Sequence, residues 1–218
     1  MKKNSLFLIV LVFFVSCSSS NSEDSAVSLK LPFYIESTFT PNWFSQNETK
    51  TANIHTIPPF DLINQNGEHI TDKSVEGKIY VVDFFFTSCP GICKKMTNNM
   101  MDVQAAFKDD SDVLILSHSV TPENDSVTIL KNYADGNGII SGKWHLLTGE
   151  RKAIYDLGRK SYFIEEDLGE ERTEDEFLHT ENFVLIDQNK RIRGIYNGLK
   201  KADVAQLIED IQTLKLEE

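Results

Sequence analysis

Nine residues, Ile79 to Thr87, constrain this chain more than any others. The stretch reads IYVVDFFFT and is nearly all apolar, β-branched or aromatic, the composition of a strand buried on both faces at the centre of a sheet. Cys89-Pro90-Gly91-Ile92-Cys93 follows at once. After it, Met96, Met100, Val103 and Phe107 recur at helical spacing within Lys94 to Phe107. A central strand therefore runs directly into a helix at a pair of cysteines.

The remaining elements alternate. Ile57 to Thr71 predicts two short strands around Gln65-Asn66-Gly67, a hairpin turn signal. Val113 to Val120 is a second apolar strand, and Thr121-Pro122-Glu123 predicts a helix start running to about Tyr133. Trp144 to Leu147 reads as a short strand, Arg151 to Arg159 as a short helix, and Phe183 to Asp187 with Arg191 to Tyr196 as a hairpin around Gln188-Asn189. Lys201 to Leu214 is a closing helix. Strands alternating with helices predict an α/β fold, a central mixed β-sheet flanked by helices on both faces with an N-terminal β-hairpin extension. The terminal hairpin and last helix complete a thioredoxin-like pattern.

Upstream of the domain, Lys2 and Lys3 precede an apolar run from Leu6 to Val15 that stops at Ser16-Cys17 and a string of serines. The run is about half the roughly 20 residues needed to span a bilayer, so it reads as a cleaved export signal. Phe14-Val15-Ser16-Cys17 resembles the bacterial lipobox, with Phe14 where Leu is usual, which makes Cys17 the acylated first residue of the mature chain. Ser18 to Ser28 is polar and acidic and suits a solvated spacer. The expected organisation is a lipoprotein signal peptide over 1–16, a lipidated N-terminus, tether and leader over 17–52, and a thioredoxin-like domain over 53–218. The protein would be lipid-anchored in the bacterial cell envelope, facing the periplasm. A net charge of −11 argues against a nucleic-acid partner, since phosphate binding needs clustered Lys and Arg.

With Cys17 assigned to lipid, Cys89 and Cys93 are the only thiols of an exported protein, and such a pair is a disulfide, a metal site or a redox couple. In an ideal helix, residues four apart have Cα atoms about 6 Å apart, from a rise of about 1.5 Å per residue, and a disulfide tolerates roughly 4.4 to 6.8 Å. A helix N-terminus also favours thiolate over thiol, as exchange and metal ligation both require. Two thiolates under-coordinate most metals, so a third ligand is expected. Among the five histidines, His55 and His69 suit turns or surface, and His118 and His145 suit packing positions in strands. His179 differs. It follows an acidic run, Glu165 to Glu176, in which eight of twelve residues are Asp or Glu, and it precedes a strand. In a thioredoxin sheet that position lies against the start of the cysteine helix.

These residues also carry a resemblance. VVDFFFTSCPGICKKM, SHSVTPENDSVTILKNYA, KWHLLTG and FLHTENFVLIDQNKRIRGIYNG, in that order from about Leu31 to Leu214, resemble the Sco (SenC) family of copper chaperones. The resemblance implies that Cys89, Cys93 and His179 are the copper ligands, that Cu(I) and Cu(II) are both bound, and that the protein assists assembly of the binuclear copper centre of cytochrome c oxidase. Its expected partner is the copper-bearing oxidase subunit or another copper or thiol protein, met as a monomer. The family pattern CPDxCP is altered by Gly91 and Lys94, which makes the surroundings of the thiols more electropositive. An alternative function is an envelope thiol-disulfide oxidoreductase with Cys89 as nucleophile and Cys93 as resolving thiol. Ordinary thioredoxin chemistry is disfavoured, because the cysteine spacing is three and no Pro follows Pro122.

Overall fold

The computed structural model describes residues 30–51, 53–167, 176–178 and 180–217. The signal, Cys17, the spacer, His179 and residues 168–175 of the acidic run lie outside the described residues.

After a short helix α1 (Gln46–Thr51), the chain forms β1 (Asp61–Asn64), β2 (His69–Thr71), β3 (Ile79–Phe85), α2 (Ile92–Ala106), β4 (Val113–Ser119), α3 (Val127–Asn137) and β5 (Trp144–Thr148). Then come α4 (Arg151–Asp156), a π-helical turn over Leu157–Ser161, β6 (Asn182–Ile186), β7 (Ile192–Asn197) and α5 (Lys201–Leu216). The strands make one sheet in the order β2-β1-β5-β4-β3-β6-β7. β3, β4 and β5 are parallel, and the flanking pairs β1 with β5 and β3 with β6 are antiparallel. This is the expected thioredoxin-like mixed sheet, and the first hairpin extends it at one edge.

Every residue of β3 and β4 is buried, which is why both read as unbroken apolar runs. Alternate residues feed two cores. Val81 and Phe85 pack with Met96, Met100 and Val103 of α2, with Leu130 of α3 and with Leu207 and Ile211 of α5. Tyr80, Val82 and Phe84 face the opposite layer of Ile154, Tyr155, Tyr162 and Leu178. In the first hairpin, the Asn64 carboxamide oxygen accepts the N–H groups of Asn66 at 2.9 Å and Glu68 at 3.0 Å, and Gly67 takes a positive φ of 78°. That backbone conformation is where glycine costs least.

The start of α3 differs from expectation. Residues 121–125 form a turn, and α3 starts only at Val127, capped by the Ser126 side chain on the N–H of Ile129. Asp125 is the reason. Its carboxylate accepts the Ser119 hydroxyl at 2.5 Å, the Thr121 hydroxyl at 3.1 Å, and both the hydroxyl (2.5 Å) and the N–H (3.3 Å) of Thr87. Four hydrogen bonds to a fully buried carboxylate outweigh the helix-starting preference of Thr-Pro-Glu and tie the end of β3 to the end of β4.

Residues 31–33 pack onto β7. Arg193 of β7 donates to the carbonyls of Leu31 at 2.7 Å and Pro32 at 3.0 Å, and its guanidinium lies 4.1 Å from the centroid of Phe33. Among the described residues, no helix is long and apolar enough to cross a membrane.

Candidate functional site

The loop after β3 is held before the cysteines begin. Asp125 fixes Thr87 as described, and the N–H of Cys89 donates to the carbonyl of Phe86 at 3.3 Å. Gly91 is the residue before α2, with φ −130° and ψ −109°. Cys89 therefore stands outside the helix and Cys93 within its first turn, whereas ideal helical spacing would put both on one face. The thiols still meet. Both are free, Cys89 half-buried and Cys93 buried, and each shifts the other's acidity.

That asymmetry separates their acidities. For Cys89, desolvation pushes the pKa up but is outweighed by hydrogen bonds from the Cys93 thiol and from the N–H groups of Gly91 and Cys93, leaving it below the usual thiol value. For Cys93, burial first and the bond to Cys89 second push it up to about 12. The lowering at Cys89 thus comes from aligned N–H and S–H donors. Lys94 and Lys95 are exposed.

A buried carboxyl that the sequence did not single out acts on Cys93. Asp83 of β3 accepts the Ser117 hydroxyl, and Ser117 in turn accepts the Trp144 indole N–H at 2.7 Å. Burial pushes the Asp83 pKa up to about 7 against that hydrogen bond, and its charge is felt at Cys93 and Tyr133. The signal was available: an Asp in the middle of IYVVDFFFT is the one charged residue of a strand with no exposed face.

The four described histidines have structural surroundings. His55 Nε2 lies 2.7 Å from the Ser161 carbonyl and its ring 4.3 Å from that of Phe163. His69 pairs with Asp61 at 2.7 Å on the surface. His118 is fully buried, its ring stacked on Phe84 at 4.9 Å, and desolvation pushes its pKa down to about 4. His145 Nδ1 is 3.1 Å from the Asn64 carboxamide nitrogen, and burial lowers its pKa. No group of three or more metal-ligating side chains occurs among the described residues.

His179 itself lies outside the described residues, but its neighbours do not. Phe177 sets its ring edge-on to Phe86, centroids 5.5 Å apart and planes at 90°. Leu178 and Thr180 are buried, and the Thr180 hydroxyl donates to the Ile164 carbonyl at 3.0 Å. Phe86 is three residues before Cys89, so Phe177 packs on the loop that carries the cysteines.

The SCO1/SenC family model matches residues 48–215. The chain belongs to the SCO1/SenC family. The SCO1 protein homolog of Bacillus subtilis is 31% identical over 163 residues, which cover 73% of this chain and 82% of that protein. Among solved structures, BsSco, described as a member of the Sco family of cytochrome c oxidase assembly proteins in which a disulfide switch was identified, matches with a TM-score of 0.63. It is 30% identical, over 75% of this chain and 95% of BsSco. ScoI of Bradyrhizobium japonicum, solved with copper bound, matches with a TM-score of 0.57 at 27% identity, over 72% of this chain and 98% of that one. In this SCO1/SenC member both cysteines are free thiols, and sulfur donors are the kind that a soft metal favours.

Proposed function

We propose that this SCO1/SenC protein is a copper chaperone that binds copper through Cys89, Cys93 and His179 and assists maturation of the binuclear copper centre of cytochrome c oxidase. The observation that carries this reading is the packing of Phe177 on Phe86, which supports an approach of the His179 segment to the cysteine loop. Copper is the cargo. Two thiolates suit Cu(I), and an imidazole nitrogen adds the borderline donor that Cu(II) favours. Loading releases the proton that Cys93 holds at neutral pH. The copper-bound ScoI and the oxidase assembly role of the Sco family support the same assignment.

The sequence supports the setting: export over 1–16, acylation of Cys17, a tether and leader over 17–52, and a domain from 53 that works as a monomer at the periplasmic face of the cell envelope. Its partner is the copper-bearing oxidase subunit or another copper or thiol protein.

A second reading, a thiol-disulfide oxidoreductase, is favoured by the split acidities of the pair. The Cys89 thiolate attacks a partner disulfide and the mixed disulfide forms. Cys93 then loses its proton, attacks Cys89, and releases the partner as a dithiol, leaving the pair oxidised. The two readings part at His179. In a host strain lacking this gene, membrane oxidase activity and oxidase copper content are expected to return with the wild-type chain and to stay low with His179→Ala. Full recovery with His179→Ala and none with Cys89→Ser would select the oxidoreductase.

A further inference from the structure

The two cysteines are held by different means. Cys93 belongs to α2, which is tied to its neighbours on two sides: Thr97 Oγ1 lies 2.9 Å from the Tyr133 hydroxyl of α3, and Asn99 Nδ2 donates to the Gly198 carbonyl at 2.7 Å. Cys89 stands in the short loop between Thr87 and α2. Ser88, Pro90 and Gly91 of that loop are exposed, and a Cβ built on Gly91 would meet nothing within 4 Å. On its helix side, then, little packs against the backbone beside Cys89.

On the strand side the restraint is the buried Asp125 carboxylate. Its Oδ1 accepts the Thr87 hydroxyl at 2.5 Å and its Oδ2 accepts the Thr87 N–H at 3.3 Å, so both the side chain and the backbone of the residue two before Cys89 are fixed. Oδ2 also takes the hydroxyls of Ser119 and Thr121. The turn that delivers Asp125 is closed by the N–H groups of Asn124 and Asp125, each 2.9 Å from the Thr121 carbonyl, and the Val120 N–H donates to the Phe85 carbonyl at 2.9 Å. Hydrogen bonds to an ionised acceptor are roughly twice as strong as neutral ones. Thr87 is thus the last firmly held point before the exposed loop.

Resting on the proposed working pair of Cys89 and Cys93, we infer that Asp125 is a positioning residue for Cys89: by clamping Thr87 it keeps the Cys89 sulfur within reach of Cys93 and so sets how readily the pair closes to a disulfide. The Cys89 thiolate attacks a small disulfide such as oxidised glutathione, and one glutathione leaves as a thiol. Cys93 then gives up its proton and attacks the Cys89 sulfur, and the second glutathione leaves as a thiol. The pair is oxidised by two electrons, and the glutathione disulfide is reduced to two thiols that carry the protons. Closure requires Cα atoms within roughly 4.4 to 6.8 Å. A clamp that limits the drift of Cys89 raises its effective concentration at Cys93, whereas the first attack, on a partner from solution, gains nothing from that proximity.

The full chain is equilibrated in mixtures of reduced and oxidised glutathione and trapped with acid. Peptide mass spectrometry then gives the ratio of Cys89–Cys93 disulfide to Cys89–glutathione mixed disulfide for wild type, Asp125→Asn, Thr87→Val and Thr87→Ser. An asparagine keeps one acceptor oxygen and turns N–H donors toward groups that are themselves donors, so Asp125→Asn is expected to lower the ratio by about tenfold. Thr87→Val, which loses only the hydroxyl, is expected to lower it by less, and Thr87→Ser to restore it. The Thr87 variants decide the matter if Asp125→Asn does not fold. A wild-type ratio in Thr87→Val, even with a lowered unfolding midpoint, would overturn the inference and leave Asp125 a support of the fold with the pair intact. Equal loss in Thr87→Ser and Thr87→Val would trace the effect to packing and also overturn it. A wild-type chain that forms only the mixed disulfide would remove the working pair itself, and the role of Asp125 with it.

Discussion

Phe177 and Phe86 meet edge to face, ring centroids 5.5 Å apart, and this contact joins two segments 91 positions apart in the chain at the cysteine edge of the sheet. Such aromatic pairs contribute about 0.5–1.5 kcal/mol beyond their area burial. Phe177→Leu is expected to keep the fold, to lose about that much stability, and to weaken Cu(II) binding while sparing Cu(I). Denaturant unfolding and paired copper titrations check it; unchanged Cu(II) affinity would mean that this contact does not bear on the site.

Asp83 makes stability fall as pH rises. Its folded pKa of about 7 lies above the ordinary carboxyl value of 3.8, so the folded state holds the proton more tightly. The contribution is fully present below about 3.8 and is lost as pH climbs through about 7. Asp83→Asn is therefore expected to be more stable than wild type at pH 8, by on the order of 2–4 kcal/mol, with the difference closing at pH 4. Equal stabilities at both pH values would show that Asp83 is ionised without cost.

His118 acts in the opposite sense. With a folded pKa of about 4 against the ordinary imidazole value of 6.5, the unfolded chain takes the proton first. Stability is lost as pH falls from about 6.5 toward 4 and no further below it. Because Phe84 stacks on the ring, His118→Phe keeps a planar ring in place, and its stability relative to wild type is expected to rise across that window. A constant difference between pH 7 and 4.5 would remove the titration from the account.

The cysteine pair is expected to behave as one unit. In the reduced protein, Cys89 is alkylated first and at a pH below that of an ordinary thiol, while Cys93 reacts slowly. After a disulfide oxidant both thiols are expected to vanish together without unfolding. Mass spectrometry of trapped species decides this, and a protein retaining one reactive thiol after complete oxidation would rule out the internal disulfide.

The parts of the fold governed by local chemistry were legible in the sequence. The two-sided burial of β3 and β4, the Asn64–Glu68 turn, the β6–β7 hairpin and the α5 stripe each follow from residues within reach of one another. The start of α3 was not, because Asp125 is recruited by Thr87 and Ser119 from other strands. The position of Cys89 before the helix was hidden too, since it depends on the backbone at Gly91. The docking of Phe33 under Arg193 joins residues 160 positions apart and leaves no local pattern. At the site, the thiol pair followed from spacing, whereas the split of its acidities arises from burial that only the folded chain supplies.

In the proposed site one copper is held by two thiolates and one imidazole. X-ray absorption at the copper edge of the Cu(II)-loaded full chain, recorded for wild type and His179→Ala, tests it most directly. Two sulfur scatterers are expected in both proteins, with an imidazole signal that is present in wild type and absent from the variant. An unchanged imidazole signal in His179→Ala, or a wild-type spectrum with fewer than two sulfurs, would contradict it.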